Sequence, residues 1–315
     1  MQSVYMTQPD ADEPLSALRF GDLPLPDVPP GWTTVTVKAA SLNHHDIWSL
    51  RGVGISEARL PLILGCDAAG FDDTGRAVLI YPVVDDGGRR SVLSERHHGT
   101  FAEYVTVPTA NLVPIPQGMT IEEAACLPTA WLTAYKMLFS RAHVSAGDLV
   151  LIQGASGGLS TALIMLASAV GARVWATGRT DDKRAFAMKT GAEATFEFGA
   201  RLPERVDYVM DSVGAATWNH SLKCLEAGGT MVVPGATSGY EATINLSLIF
   251  AKQLAILGSS MGSASELADL VKLCVDREIH PPIHATFPLR EASTAFQAMQ
   301  NGVAMGKLLL LPGQE

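Results

Sequence analysis

Residues 149–160 read Leu-Val-Leu-Ile-Gln-Gly-Ala-Ser-Gly-Gly-Leu-Ser, and no other stretch limits the fold of this chain as much. The first four residues are an apolar run of the kind found in a strand covered on both faces. Gly154, Gly157 and Gly158 follow as a turn that bulky side chains would obstruct. From Ser160 to Val170 the apolar spacing becomes helical, with Leu163, Leu166, Ala167 and Val170 on one side. Gly171 sits where a helix-terminating glycine belongs, and residues 173–177 (Arg-Val-Trp-Ala-Thr) read as a second strand. The result is one βαβ unit of about thirty residues. A glycine turn between strand and helix offers backbone N–H groups and a positive helix end to a pyrophosphate. The spacing departs from G-x-G-x-x-G, because position 156 is Ser and position 159 is Leu. Gly154, Gly157 and Ser160 instead place small residues three apart, with Ser where close helix–strand packing asks for glycine. Dinucleotide binding is the expectation, a plain tight turn the alternative.

The texture on either side of this unit differs. From Ile121 onward the pattern is α/β. Helical spacing runs over residues 121–139, and strands near 149–152, 173–177, 206–210, 230–234 and 254–258 then alternate with helices near 160–170, 181–190, 217–227 and 264–277. Such alternation predicts a doubly wound parallel sheet with helices on both faces. Gly228-Gly229 reads as a turn between a helix and a strand. Residues 1–120 read as β-structure with irregular connections: strands over 15–20, 32–40, 60–69, 77–81 and 101–107, a proline-rich connector over 23–31, and a polar exposed loop over 85–100. No sustained helical period precedes Ile121. A helix over 290–300 and a strand over 307–311 close the chain, and that strand can return to the first domain.

Bulk properties exclude several functions. A length of 315 residues accommodates two cores, and 47% hydrophobic content indicates a buried globular protein. A formal charge of −9 disfavours nucleic-acid and anionic-membrane partners. No run approaches the roughly 20 apolar residues of a membrane span. Acidic residues and prolines by position 14 do not suit a signal peptide. Cys66, Cys126, Cys224 and Cys274 are isolated and read as reduced thiols, so a cytoplasmic protein is expected.

Cofactor type is read at the end of the second strand. NAD-specific sites place an acid there for the ribose 2′-OH. Here the strand ends Ala176-Thr177-Gly178-Arg179-Thr180, and the first acids are Asp181 and Asp182. Arg179 and Lys183, one helical turn on, can supply charge-assisted donors to a 2′-phosphate. NADP(H) is therefore expected, unless both are ordinary solvated residues of a helix start.

Segments along nearly the whole chain resemble the medium-chain dehydrogenase/reductases, in the zinc-free quinone-oxidoreductase-like branch. They are residues 41–46 (Ser-Leu-Asn-His-His-Asp), 61–70 (Pro-Leu-Ile-Leu-Gly-Cys-Asp-Ala-Ala-Gly), 99–105 (Gly-Thr-Phe-Ala-Glu-Tyr-Val), 132–135 (Leu-Thr-Ala-Tyr), 154–158, Gly228-Gly229, 235–239 (Gly-Ala-Thr-Ser-Gly) and Gly306-Lys307. The resemblance implies a GroES-like, mainly-β catalytic domain over residues 1–125, completed by about 285–315. It implies a Rossmann NADP-binding domain over 126–284, an active site in the cleft between them, and a homodimer. It places Asn43 and Thr133 near the nicotinamide, with Gly235, Ala236, Thr237, Gly258, Ser259, Ser260 and Met261 as backbone walls. Gly154, Ser156, Gly157, Gly158, Leu159, Thr177, Arg179, Lys183 and Val213 complete the expected cofactor set.

In the zinc alcohol dehydrogenases of the same superfamily, three protein ligands hold a catalytic zinc. Their positions correspond to Asn43, Cys66 and Thr129 here. One thiol does not make a three-ligand site, and residues 85–100 lack the four cysteines of a structural zinc lobe. Cys66 with Asp67 and His44 or His45 matches no known metal spacing. No metal is expected. Trp48 stands where related reductases often carry a tyrosine, and an indole is no acid. His45 occupies the place of a proton-relaying hydroxyl and, with Asn43, is the candidate catalytic residue; alternatively His44 and His45 are packed or exposed loop residues. The expected activity is hydride transfer from NADPH to a small-molecule quinone or α,β-unsaturated carbonyl compound. The alternatives are a zinc-independent alcohol or carbonyl dehydrogenase and a low-turnover NADPH-binding regulator.

Overall fold

A strand hydrogen-bonded on both edges and covered on both faces has no solvated side, so its sequence loses all alternation. Strand Leu149–Gln153 fits that description. In the computed structural model, which describes residues 1–314, it is buried at every position. It lies inside a six-stranded, all-parallel sheet ordered Ala194–Phe196, Arg173–Thr177, Leu149–Gln153, Val206–Asp211, Leu225–Val233, Ala255–Gly258. The chain places its next two strands on one side of Leu149–Gln153 and the following three on the other, so strand order reverses there. Ligands of such sheets bind outside the carboxyl ends of the strands at that reversal.

Helix Gly158–Ala169 leaves the glycine turn and buries Ser160 through Ile164 along with Leu166 and Ala167. Helix Asp181–Lys189 starts where Thr180 Oγ1 accepts from Lys183 N, carries Asp181 and Asp182 in its first turn, and ends on Lys189. This charge order suits the helix dipole. These elements belong to a compact unit comprising residues 130–266 and 276–279.

A second unit comprises residues 1–129, 267–275 and 280–315. Its longest strand, Trp32–Ser41, pairs antiparallel with Asp67–Phe71, Tyr104–Pro108 and the closing strand Lys307–Leu311. The closing strand is buried at all five positions, and its register, Leu309 opposite Ser41, brings residue 307 to residues 41–43.

Several elements differ from the sequence expectation. Residues 60–69 form two strands, Leu62–Ile63 and Asp67–Phe71, because Gly65 turns the chain at φ +91°. A Cβ there would lie 2.4 Å from the Phe101 ring, so only glycine permits the turn. Residues 15–20 divide into a 3₁₀ turn, Pro14–Ala17, and strand Leu18–Asp22. Helix His44–Leu50 arises where no helical period is visible, since seven residues are too few to display one. The expected loop over 85–100 contains a hairpin, Val83–Asp86 with Arg89–Val92, turned by Gly87 and Gly88 at positive φ. It then buries Leu93 and Ser94 completely. Gly228 and Gly229 lie within strand Leu225–Val233 and not in a turn before it. Strands Gln2–Met6 and Ile283–Pro288 and helix Leu246–Lys252 carry no signal that the sequence reading registers. Among the described residues no helix is long and apolar enough to cross a membrane.

Candidate active site

The Gly65 turn carries Cys66 and Asp67 into the interior, both 0% exposed. Asp67 is the centre of a buried polar web. Its Oδ2 accepts from Ser41 Oγ at 3.0 Å and Asn43 Nδ2 at 2.8 Å, and its Oδ1 accepts from Thr129 Oγ1 at 2.6 Å. Lys307, delivered by the closing strand, lies with Nζ 3.6 Å from Asp67 Oδ2. The same ammonium donates to Leu42 O at 2.8 Å and Asn43 Oδ1 at 2.7 Å. Both ends of the Asn43 amide are thus engaged, and the ammonium fixes which end is the oxygen.

Asn43 also precedes helix His44–Leu50, and its backbone N–H donates to Asp46 Oδ2 at 2.7 Å. Burial pushes the Asp46 carboxyl up to about 7, against the opposing pull of His45 and this N–H; the Asp67 charge adds to the rise. His44, on the first turn, is exposed. His45 is half-buried, and its Nε2 lies 3.2 Å from Glu95 Oε1. Burial by itself disfavours the imidazolium. The Glu95 hydrogen bond and the charges of Asp46, Glu95 and Asp67 outweigh it and raise His45 above its ordinary value. Burial likewise opposes ionisation of Glu95, but the bonds from His45 and from Val92 N, at 2.8 Å, hold its carboxyl below the usual range. An ionised Glu95 beside an imidazolium is the favoured pairing.

The fit of a catalytic zinc can be tested on these contacts. The only Asn43 side-chain atom able to bind a cation, Oδ1, is occupied by an ammonium, while the Nδ2 donor faces Cys66 Sγ at 3.6 Å. The Thr129 hydroxyl donates to Asp67. Cys66 remains, and burial, reinforced by Asp67 and Asp46, pushes its thiol well above the ordinary range. Asn43, Cys66 and Thr129 therefore do not make a three-ligand zinc site.

In the other unit the expected cofactor residues gather at one edge of the sheet. Gly154, Thr177, Val213, Gly235 and Gly258 end, or follow within two residues, five parallel strands. Gly154 turns at φ +111°. Gly157 is the N-cap of helix Gly158–Ala169, no side chain caps that end, and its first turn holds no acid. The N-terminal amides therefore have no side-chain acceptor. Ser156 is buried, Gly157 exposed, and Gly158 and Leu159 half-exposed. Thr177 is wholly buried. It donates to Gln153 Oε1 at 2.7 Å and accepts from Gly154 N at 3.3 Å, bracing the turn from below.

Val213 and the 235–237 segment are tied together. Thr237 N donates to Ser212 O, and Ser238 N to Val213 O; Ala236 between them is half-buried, while Gly235 and Thr237 are exposed. Ser259 N donates to Val233 O, Ser259 Oγ to Ser260 O, and Lys136 Nζ to Met261 O. Thr133 is half-buried on helix Leu132–Tyr135. Arg179 is exposed and Lys183 half-exposed. Burial, followed by the charge of Arg179, holds the Lys183 ammonium below its ordinary value, which places two cations at one strand end.

Sequence reasoning passes over Glu95, Ser41 and the role of Lys307. Glu95 lies in a charged stretch that reads as loop. Lys307 stands out only as part of a motif. The web of Gln153, His220, Ser221 and Asp211 that underlies the sheet edge is signalled only by a polar residue at the end of an apolar strand.

A parallel sheet with a glycine turn at its carboxyl edge, in one chain with a mainly antiparallel unit holding a buried polar centre, suits a dinucleotide-dependent oxidoreductase. The comparisons agree. The zinc-binding dehydrogenase family model matches residues 158–276, and that of the alcohol dehydrogenase GroES-like domain matches residues 29–117. A probable quinone oxidoreductase of Schizosaccharomyces pombe is 30% identical, with 99% of this chain and 98% of that protein covered. A zinc-type alcohol dehydrogenase-like protein of the same yeast is 30% identical, covering 89% and 91% respectively. The crystal structure of an NAD-dependent alcohol dehydrogenase aligns with a TM-score of 0.92 at 33% identity, over 99% of this chain and 100% of that one. The chain belongs to the medium-chain dehydrogenase/reductase superfamily, a family of oxidoreductases.

Proposed function

We propose that this protein reduces quinones or α,β-unsaturated carbonyl compounds with NADPH and without zinc, as a cytoplasmic homodimer. One observation carries the zinc-free part: Asn43, in the place of a zinc thiolate, is locked by its amide between Lys307 and Asp67. The likeness to a quinone oxidoreductase supports the acceptor class. The aligned NAD-dependent neighbour makes cofactor choice a sharp test, and the paired cations Arg179 and Lys183 support NADPH.

When bound, NADPH would supply a hydride from its nicotinamide to an electrophilic carbon. The chain's own part is to hold and to protonate. The uncapped start of helix Gly158–Ala169 holds the pyrophosphate, and Arg179 and Lys183 hold the 2′-phosphate. Glu95 fixes His45 through Nε2 and favours its protonated form. The His45 Nδ1 atom has no protein partner and gives its proton to the oxyanion left by hydride addition. Asn43 positions the 43–46 turn through its bonds.

Residues 1–125 with about 285–315 act as the catalytic domain, and residues 126–284 bind the cofactor. Strand Ala255–Gly258 ends the sheet with one hydrogen-bonded neighbour and half-exposed Ile256 and Leu257. Helix Leu246–Lys252 before it exposes Leu246 and Phe250. An apolar strand edge of this kind suits a second copy. Four free, buried thiols suit a reducing compartment.

A second reading, a zinc-independent alcohol or carbonyl dehydrogenase, is favoured by the aligned alcohol dehydrogenase. Substrate-dependent NADPH oxidation with a quinone, an enone and a simple ketone separates the two, with metal analysis of the same preparation. Turnover of the ketone alone, stronger NADH binding, or stoichiometric zinc that is required for turnover would each overturn the first reading.

A further inference from the structure

Several buried side-chain atoms of the antiparallel unit have no hydrogen-bond partner, and two of them belong to adjacent ionisable residues, His45 and Asp46. Asp46 is completely buried. Its Oδ2 accepts from Asn43 N, whereas its Oδ1 has no partner, and neither has the buried His45 Nδ1. Ligand atoms of His45, Asp46 and Cys66 all lie within 4.8 Å of one another. Two orphaned polar atoms beside a buried thiol are a costly arrangement for a protein interior unless something binds there.

We propose that His45, Asp46 and Cys66 form a binding site for a thiophilic divalent cation such as Zn²⁺ or Cd²⁺, and that its occupancy blocks proton transfer from His45. Of the three positions aligned with zinc ligands in the family, this set uses Cys66 alone.

Imidazole, carboxylate and thiolate are the donors of catalytic zinc sites, three from protein with a fourth position open. They select borderline-soft cations over Mg²⁺ and Ca²⁺. Tetrahedral bonds of about 2.0–2.3 Å put ligand atoms roughly 3.5 Å apart, so side-chain rotation must close the trio by about an ångström. The charge balance is favourable. A cation of charge two that displaces protons from the Cys66 thiol and the His45 imidazolium leaves the buried net charge unchanged when Asp46 is already ionised, and lowers it by one when the Asp46 carboxyl also releases a proton. The nearest fixed cation, Lys307, is already matched by Asp67 at 3.6 Å. Glu95, on the Nε2 side of His45, adds a negative charge.

Cadmium titration of the purified full-length protein tests the site, read by the thiolate-to-cadmium absorption band. Zn²⁺ calorimetry in two buffers of different ionisation enthalpy counts the protons released. One Cd²⁺ per chain is expected, unaffected by Mg²⁺. The Cys66→Ser variant should lack the band, and Asp46→Asn and His45→Gln should each weaken binding at least about tenfold, the lower end of what outer-shell losses alone produce. Circular dichroism shows which variants fold, and His45→Gln, altering a half-exposed side chain, guards against loss of the buried ones. No band, or an undiminished band in Cys66→Ser, overturns the site. The inhibition rests on the proton role given to His45 above. NADPH-dependent turnover should fall with the midpoint of the binding curve. Binding with unchanged turnover keeps the site and removes His45 from the proton path.

Discussion

Removing the Lys307 charge is the most incisive test of the buried web. Lys307 is 3% exposed and Asp67 0%, with charged atoms 3.6 Å apart. At an effective dielectric of about 20 their attraction is roughly 5 kcal/mol before desolvation is counted. Lys307→Met leaves Asp67 buried and uncompensated, and deprives Leu42 O and Asn43 Oδ1 of their donor. Breaking such a pair costs about 3–5 kcal/mol, a large part of a typical total stability of about 5–15 kcal/mol. Asp67→Asn should cost a similar amount by stranding the ammonium. In the double variant neither charge is left alone, so the combined loss should fall short of the sum by about 1–3 kcal/mol. Hydrogen exchange of strand Trp32–Ser41, which pairs with both Asp67–Phe71 and Lys307–Leu311, reads the opening free energy of this unit without requiring the whole chain to unfold in one step. Losses that add to within about 0.5 kcal/mol would refute the idea that the two charges sustain each other.

Arg179→Ala should weaken NADPH binding about ten- to a hundredfold, the value of a charge-assisted bond of about 1.5–3 kcal/mol; it should leave NADH affinity unchanged, as fluorescence titration of the two cofactors will show. Glu95→Gln removes the hydrogen bond and the charge that raise His45. The alkaline limb of the pH–rate profile, where the imidazolium proton is lost, should then move to lower pH; an unmoved limb separates Glu95 from the acid. Asp46 binds its proton more tightly when folded, its carboxyl being pushed from 3.8 to about 7. Its contribution to stability is therefore complete below pH 3.8 and is lost as the pH rises through about 7. Asp46→Asn should flatten that part of the stability profile, and parallel denaturant titrations at acidic and mildly alkaline pH check it.

Elements with a strong local period are legible in the residue order. Strand Leu149–Gln153 has no exposed position and so no polar residue until its end. Helices Asp181–Lys189 and Ala264–Asp276 carry end signals or an apolar stripe within their own residues. The glycine turn, its strand and its helix are contiguous, so one window of sequence holds the whole motif. Helix His44–Leu50 escapes such a reading because its start depends on a cap bond from Asn43 N to Asp46 and its length hides the period. The hairpin after Val83 escapes because its charged strands show no apolar alternation.

From its own residue order the chain determined a parallel sheet with a glycine turn, and the type of most elements around it, because periodicity and turn chemistry act over a few residues. Tertiary structure alone decided that Lys307 meets Asn43 across 264 residues, that Glu95 steadies His45, and that Asn43 and Thr129 donate to Asp67 while the Asn43 amide also faces Cys66. Those meetings follow from strand register and from a glycine turn that buries two neighbours, and no local pattern records which distant side chain will arrive to satisfy a buried charge.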